Sequence, residues 1–207
     1  MDEQSQNRGG SIRCVTVYAS SSNALHEDYY RDARVIGETL GDAGIDIRYG
    51  GGGVGLMRAV ADAALSRGAH VHGVIPDFLN TVEHGHKALP SLDVVQTMAE
   101  RKQKMIEGSD AVIALPGGSG TFEELFEVLT LKRLGIFLGP VVIVNTRGYY
   151  DRIVQALQYC VDERFMSAEH LRMWSLIDDP STVVEALKAA PAWSADARTR
   201  AAVRQDA

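Results

Sequence analysis

Only two cysteines, Cys14 and Cys160, occur among the 207 residues, far apart and in apolar-looking segments. So few thiols exclude a small disulfide-scaffolded domain, and both read as buried free thiols of a cytoplasmic protein. No apolar run reaches the ~18 residues that mark a membrane-spanning helix. The opening MDEQSQNRGG has no apolar stretch and is not a secretory signal. Positive charge is not in excess either. The formal net charge is −6, so no basic field invites nucleic acid or an anionic membrane, and no basic, aromatic-rich stripe interrupts the pattern.

Several catalytic signatures are also missing. There is no G-x-x-x-x-G-K-[ST], which excludes P-loop phosphoryl transfer, and no G-x-G-x-x-G after the first expected strand, which disfavours a dinucleotide site. His70, His72, His84 and His86 form no H-E-x-x-H and have no Cys partners, so no metal site is expected. No G-x-S-x-G elbow marks a serine hydrolase.

What is present is a globular balance, 45% hydrophobic and 23% charged, in a chain long enough for one full core. Short β-branched runs alternate with helical patterns. Strands are expected at 12–18, 45–49, 70–75, 92–95, 110–115, 140–145 and 174–177. Helices are expected at 28–43, 55–66, 98–106, 121–134, 149–161 and 181–189, with a loop over 76–91. This alternation predicts an α/β fold, a single Rossmann-like doubly wound domain with a mainly parallel sheet flanked by helices, over residues 12–190. Residues 1–11 and 191–207 are polar and expected as tails, disordered and flexible, although Trp193 offers a docking point.

Ligands of such sheets bind beyond the carboxyl ends of the strands. Three of the turns expected there are rich in glycine or hydroxyls: SSSN (20–23), YGGGGVG (49–55) and PGGSGT (116–121). Gly117, Gly118 and Gly120 permit positive φ and remove the Cβ from a ligand's path. The helix start behind them, with hydroxyls from Ser119 and Thr121, suits a phosphate; the alternative is that the glycines only make tight turns. YGGGGVG repeats the device. Thr121-Phe122-Glu123-Glu124 reads in two ways. It is a T-x-x-E capping box, or it places a carboxylate beside the anion site, aimed at another part of a nucleotide such as the ribose. In MAERKQKM (98–105), Arg101 shares a face with Met98 and Met105, so it needs a partner or runs along a rim. Lys102 lies one step around. Glu83 and His84, in the loop NTVEHGH, are expected over the same end of the sheet.

PGGSGTFEE (116–124) and MAERKQKM, with YGGGGVGLM, GVIP (73–76) and NTRGYYD (145–151) in the same order, resemble the LOG family. These are the cytokinin riboside 5′-monophosphate phosphoribohydrolases, once widely labelled lysine decarboxylases. The resemblance implies hydrolysis of the N-glycosidic bond of a nucleoside 5′-monophosphate, AMP or an N6-substituted AMP, with no metal and no cofactor, by a homodimer. Carried over by motif, Arg101 and Glu124 are the catalytic pair. Glu83, Lys102, Gly117, Gly118, Ser119, Gly120, Thr121, Phe122 and Glu123 are the substrate-binding residues. The chain departs from many members at Ser119, at Leu131 and in the first turn, which bears on the base preferred. No lysine has a recognisable setting for a pyridoxal phosphate Schiff base. A non-catalytic nucleotide or pterin-cofactor carrier on the same fold is the alternative.

Overall fold

The computed structural model describes residues 11–80 and 85–201. Seven parallel strands form one sheet in the order β4-β3-β2-β1-β5-β6-β7. They are β1 (Cys14–Tyr18), β2 (Asp46–Tyr49), β3 (Val71–Pro76), β4 (Ser91–Val95), β5 (Ala111–Ala114), β6 (Val141–Val144) and β7 (Ser175–Ile177). The central strand β1 pairs with β2 through Val15–Ile47 and with β5 through Val15–Ala111. Strand order reverses between β1 and β5, which opens the crevice of a doubly wound sheet at their carboxyl ends.

Side-chain alternation divides the core into two layers. Val15 and Val17 of β1 and Ile113 of β5 pack with Ala33, Ile36 and Leu40 of α1 (Glu27–Asp42), Val60 and Ala64 of α2 (Gly55–Ser66), and Leu187 of α7 (Val183–Ala189). On the other face, Tyr18, Val112 and Ile143 pack with Met105 of α4 (Met98–Ile106), Leu125 and Val128 of α5 (Ser119–Arg133), and Leu157 of α6 (Asp151–Asp162). Gly37 lets α1 and α2 meet; a Cβ there would lie 2.3 Å from the Val60 carbonyl.

The expected bounds of α2 and α4 agree with the structure. Among its described residues, the loop expected over 76–91 contains one helical turn, α3 (Asp77–Asn80), before β4. Both cysteines are unpaired and half-buried rather than fully buried. Among the described residues no helix is long and apolar enough to cross a membrane. The segment expected as a tail from residue 191 lies, as far as residue 201, against the end of α5. Trp193 Nε1 donates to the Lys132 carbonyl at 2.6 Å, and Ala197 is buried.

Lys132 itself is buried. Its Nζ donates to Leu138 O at 3.3 Å and Gly139 O at 2.5 Å, 5.5 Å from the centre of the Trp193 ring. No carboxylate pairs with it among the described residues, and burial pushes its pKa down to about 8. An unfolded lysine keeps its proton to about pH 10.4, so above pH 8 the unfolded chain binds more protons than the folded one. Stability from this group therefore rises with pH from about 8 to about 10.4, by roughly 2–3 kcal/mol in all. Urea midpoints of wild type and Lys132→Met, followed over that window, are expected to converge on this account as the wild type gains. A constant difference between the two would contradict it.

Candidate active site

The site is built from three turns at the carboxyl end of the sheet. After β5 the chain passes through Leu115–Gly118 into α5, whose N-cap is Gly118, with no side chain capping it. The amides that open a helix have no partner within it, and here Gly118, Ser119, Gly120 and Thr121 line a cavity of about 410 Å³. Their glycines serve by absence of bulk. None of Gly117, Gly118 and Gly120 has positive φ, contrary to expectation. A Cβ on Gly118 or Gly120 would meet nothing within 4 Å, whereas one on Gly117 would strike Thr121 Oγ1 at 2.1 Å.

The capping box expected at Thr121–Glu124 does not form. The helix begins two residues earlier, so Thr121 lies inside its first turn, while Glu124, 8% exposed, faces the cavity. A capping box stands instead on α4. There Thr97 Oγ1 accepts from the Glu100 amide at 3.1 Å and Glu100 Oε2 from the Thr97 amide at 3.2 Å. This cap fixes the rotation of α4 and sends Arg101 inward.

Arg101, 6% exposed, donates through Nη2 to Gly50 O at 2.9 Å and through Nε to Val74 O at 3.3 Å. Gly50 has to be glycine for this, since a Cβ would fall 2.1 Å from Nη2. Met98 and Met105, the neighbours of Arg101 on its helix face, line the cavity with it, and Met57 joins them from α2.

The second glycine turn is not a second anion cradle, although its sequence suggested one. The Ser20 carbonyl accepts from the amides of Leu56 (2.9 Å) and Met57 (3.2 Å), and Asn23 Oδ1 accepts from Gly55 (2.9 Å). The amides that open α2 are thus occupied by the turn after β1. Gly55 takes φ 63°, and a Cβ there would lie 2.6 Å from Ser20 O. The two turns nest, and Ser20, Ser21 and Ser22 reach the cavity as a result.

Tyr18 closes the floor. Burial, followed by Glu124, Glu127 and Glu123, pushes its phenol far above the ordinary range, so it stays protonated. The cavity is thus lined by the first residues of α5 and the hydroxyls of the neighbouring turns, by a buried guanidinium and a buried carboxylate, and by three methionines. Among the described residues, no His, Cys, Asp and Glu group of three or more could hold a metal ion, and no lysine lines the cavity.

A family model described as "Possible lysine decarboxylase" matches residues 57–187, well over half of the chain. The cytokinin riboside 5′-monophosphate phosphoribohydrolase LOG2 of Arabidopsis thaliana is 40% identical over 162 residues, 78% of this chain and 76% of its own. The phosphoribohydrolase LOG of Oryza sativa subsp. japonica is 39% identical over 166 residues, 80% and 69% of the two chains. The chain belongs to the LOG family. The molybdenum cofactor carrier protein of Chlamydomonas reinhardtii is similar in fold, with TM-score 0.66 at 18% identity over 86% of this chain and 97% of that one. The molybdenum cofactor binding protein of Rippkaea orientalis gives TM-score 0.63 at 21% identity over 84% and 94%.

In this LOG-family chain the residues expected to form the site separate into two groups. Arg101, Glu124, Gly118, Ser119, Gly120 and Thr121 meet at the cavity. Lys102 and Glu123 turn away from it and pair with each other, Lys102 also reaching Glu127 at 3.1 Å, so they tie α4 to α5. Phe122 stacks behind the turn, 6.1 Å from Tyr149 at 19°, and Gly117 packs under Thr121. Glu83 and His84 lie outside the described residues. Met57, which lines the cavity, is in sequence only the last residue of YGGGGVGLM, with no local signal that sets it apart. Ser20 to Ser22 were visible only as a hydroxyl-rich turn.

Proposed function

We propose that this LOG-family protein hydrolyses the N-glycosidic bond of a nucleoside 5′-monophosphate, AMP or an N6-substituted AMP, to free base and ribose 5-phosphate. The observation that carries this reading is a single cavity in which the open amides of α5 stand beside Arg101 and Glu124, both buried. It is supported by relatives that are named phosphoribohydrolases.

In this reading the 5′-phosphate lies on the amides and hydroxyls of Gly118 to Thr121, where the helix dipole favours an anion. Binding it positions C1′ near Glu124. The C1′–N bond breaks with its electron pair leaving on the base. Positive charge develops on the sugar, and the Glu124 carboxylate stabilises it. A water oxygen then bonds to C1′ and gives up a proton, and the base takes one. Arg101, held by two carbonyls, orients the carboxylate and favours departure of the electron-rich base. The methionine wall is suited to an apolar substituent on the base. Lys102, Glu123, Phe122 and Gly117 support the turn from outside, and Glu83 is retained as a substrate contact on the resemblance.

A cytoplasmic homodimer belongs to the same proposal. Two unpaired cysteines accord with a reducing compartment, and exposed Ile136 and Phe165 offer apolar surface for a second copy.

The test is chromatographic assay of purified protein, without added metal, on AMP and isopentenyladenosine 5′-monophosphate. Free base and ribose 5-phosphate in equal amounts are expected. Tight nucleotide binding with no base released would overturn the hydrolase reading in favour of a carrier.

A further inference from the structure

The turn that lines the phosphate end of the cavity is held from behind by its carbonyls. Leu115 O accepts from the Tyr150 hydroxyl at 2.8 Å, Pro116 O from the Ser20 amide at 3.3 Å, and Gly117 O from the Tyr149 hydroxyl at 2.5 Å. A trans peptide points its N–H opposite to its carbonyl, and no peptide among the described residues is cis. With Gly117 O turned back to Tyr149, the Gly118 N–H is turned forward, to the side where Gly118 lines the cavity. Tyr149 does not line the cavity itself; it meets the turn through this bond and through its ring, which stacks on Phe122.

Tyr149 is itself firmly placed. Its ring stacks on Phe122 and meets Tyr29 and Tyr150 edge-on at 6.0 and 5.3 Å. It follows two left-handed residues, Arg147 (φ 59°) and Gly148 (φ 70°), and Arg147 is fastened by Nη1 to Asp28 Oδ2 at 2.8 Å. A non-glycine residue keeps such a conformation only where its surroundings impose it. Burial and the neighbouring Tyr29 push the Tyr149 phenol above its usual range, so it is a donor throughout neutral pH.

We propose that Tyr149 is the positioning residue for 5′-phosphate recognition, its hydroxyl holding the Gly117–Gly118 peptide so that the cavity prefers a nucleotide over the unphosphorylated nucleoside. This rests on the hydrolase reading of the same cavity. In Tyr149→Phe, which keeps the ring contacts, KM for AMP is expected to rise about tenfold, with kcat changed by less than about threefold. The inhibition constant of inorganic phosphate should rise by a similar factor, while adenosine hydrolysis is unchanged. The AMP-to-adenosine ratio of kcat/KM does not depend on the fraction of protein folded, so a merely structural role would leave it unmoved. Tyr150→Phe, which loses the bond to Leu115 two peptides earlier in the turn, is expected to lower stability and keep that ratio.

Parallel loss on AMP and adenosine in Tyr149→Phe, or an unchanged KM for AMP, overturns the proposal. If the wild type releases no base, the hydrolase reading fails on its own, and calorimetric Kd values for AMP and adenosine decide about Tyr149. A preference for AMP that falls about tenfold in Tyr149→Phe upholds the assignment. A preference that persists, or a wild type with none, overturns it.

Discussion

Glu124→Gln is expected to lower turnover of AMP by about a thousandfold while changing AMP affinity only a few-fold. Glutamine fills the same space but carries no charge, so it can neither stabilise a cationic sugar nor accept a proton from water. Glu124 is 8% exposed on the second turn of α5, past the amides that would hold the phosphate. Its loss should therefore be felt in the chemical step rather than in binding. Single-turnover base release, with calorimetry of AMP on the same preparations, separates the two. A variant that retains turnover would leave Glu124 without a chemical role; one that loses AMP binding and turnover together would make it a structural or ground-state contact.

Gly50→Ala is expected to behave like Arg101→Ala, with activity lower by about a hundredfold. Gly50 contributes a backbone carbonyl that accepts from Arg101 Nη2, and a Cβ would enter 2.1 Å from that same nitrogen. The guanidinium has to leave, because Gly50 is tied into the sheet end and cannot yield equally. Only the far end of a side chain moves, so the fold should persist with a thermal midpoint within about 5 °C of wild type. Near-wild-type turnover in Gly50→Ala would show that Arg101 can leave its observed position without loss. Combining the two substitutions provides a further check: the double variant should be no worse than either one, since both remove the same group.

The legibility of the site differs from motif to motif. M-A-E-R-K could be read as a helix with Arg101 on its apolar face, and the structure places it so. The separate tasks of its three charges could not be read there: Glu100 caps, Arg101 enters the cavity, and Lys102 crosses to Glu123 and Glu127 of another helix. The second motif misled in two ways. T-x-x-E is a sound local signal for a cap, but the helix starts at Ser119, because the turn is fastened by Ser20, Tyr149 and Tyr150, all distant in sequence. Its glycines suggested positive φ, which the structure uses at Gly51 and Gly55 instead.

By itself the sequence determined the order and type of the main elements, the parallel doubly wound sheet, and the motifs that mark the family. These follow from period-two and period-3.6 patterns and from turn residues, all of which act between near neighbours along the chain. Which helix start has its amides taken up by a neighbouring turn was decided only by the tertiary structure. The amides at the start of α2 and of α5 look equivalent along the chain. Folding brings the Ser20 carbonyl and Asn23 against the first and draws the carbonyls of the second turn back onto Ser20 and two tyrosines. A hydrogen-bonding group is satisfied by whatever the fold brings within about 3 Å, and for these groups the partners stand 32 to 96 residues away in the chain.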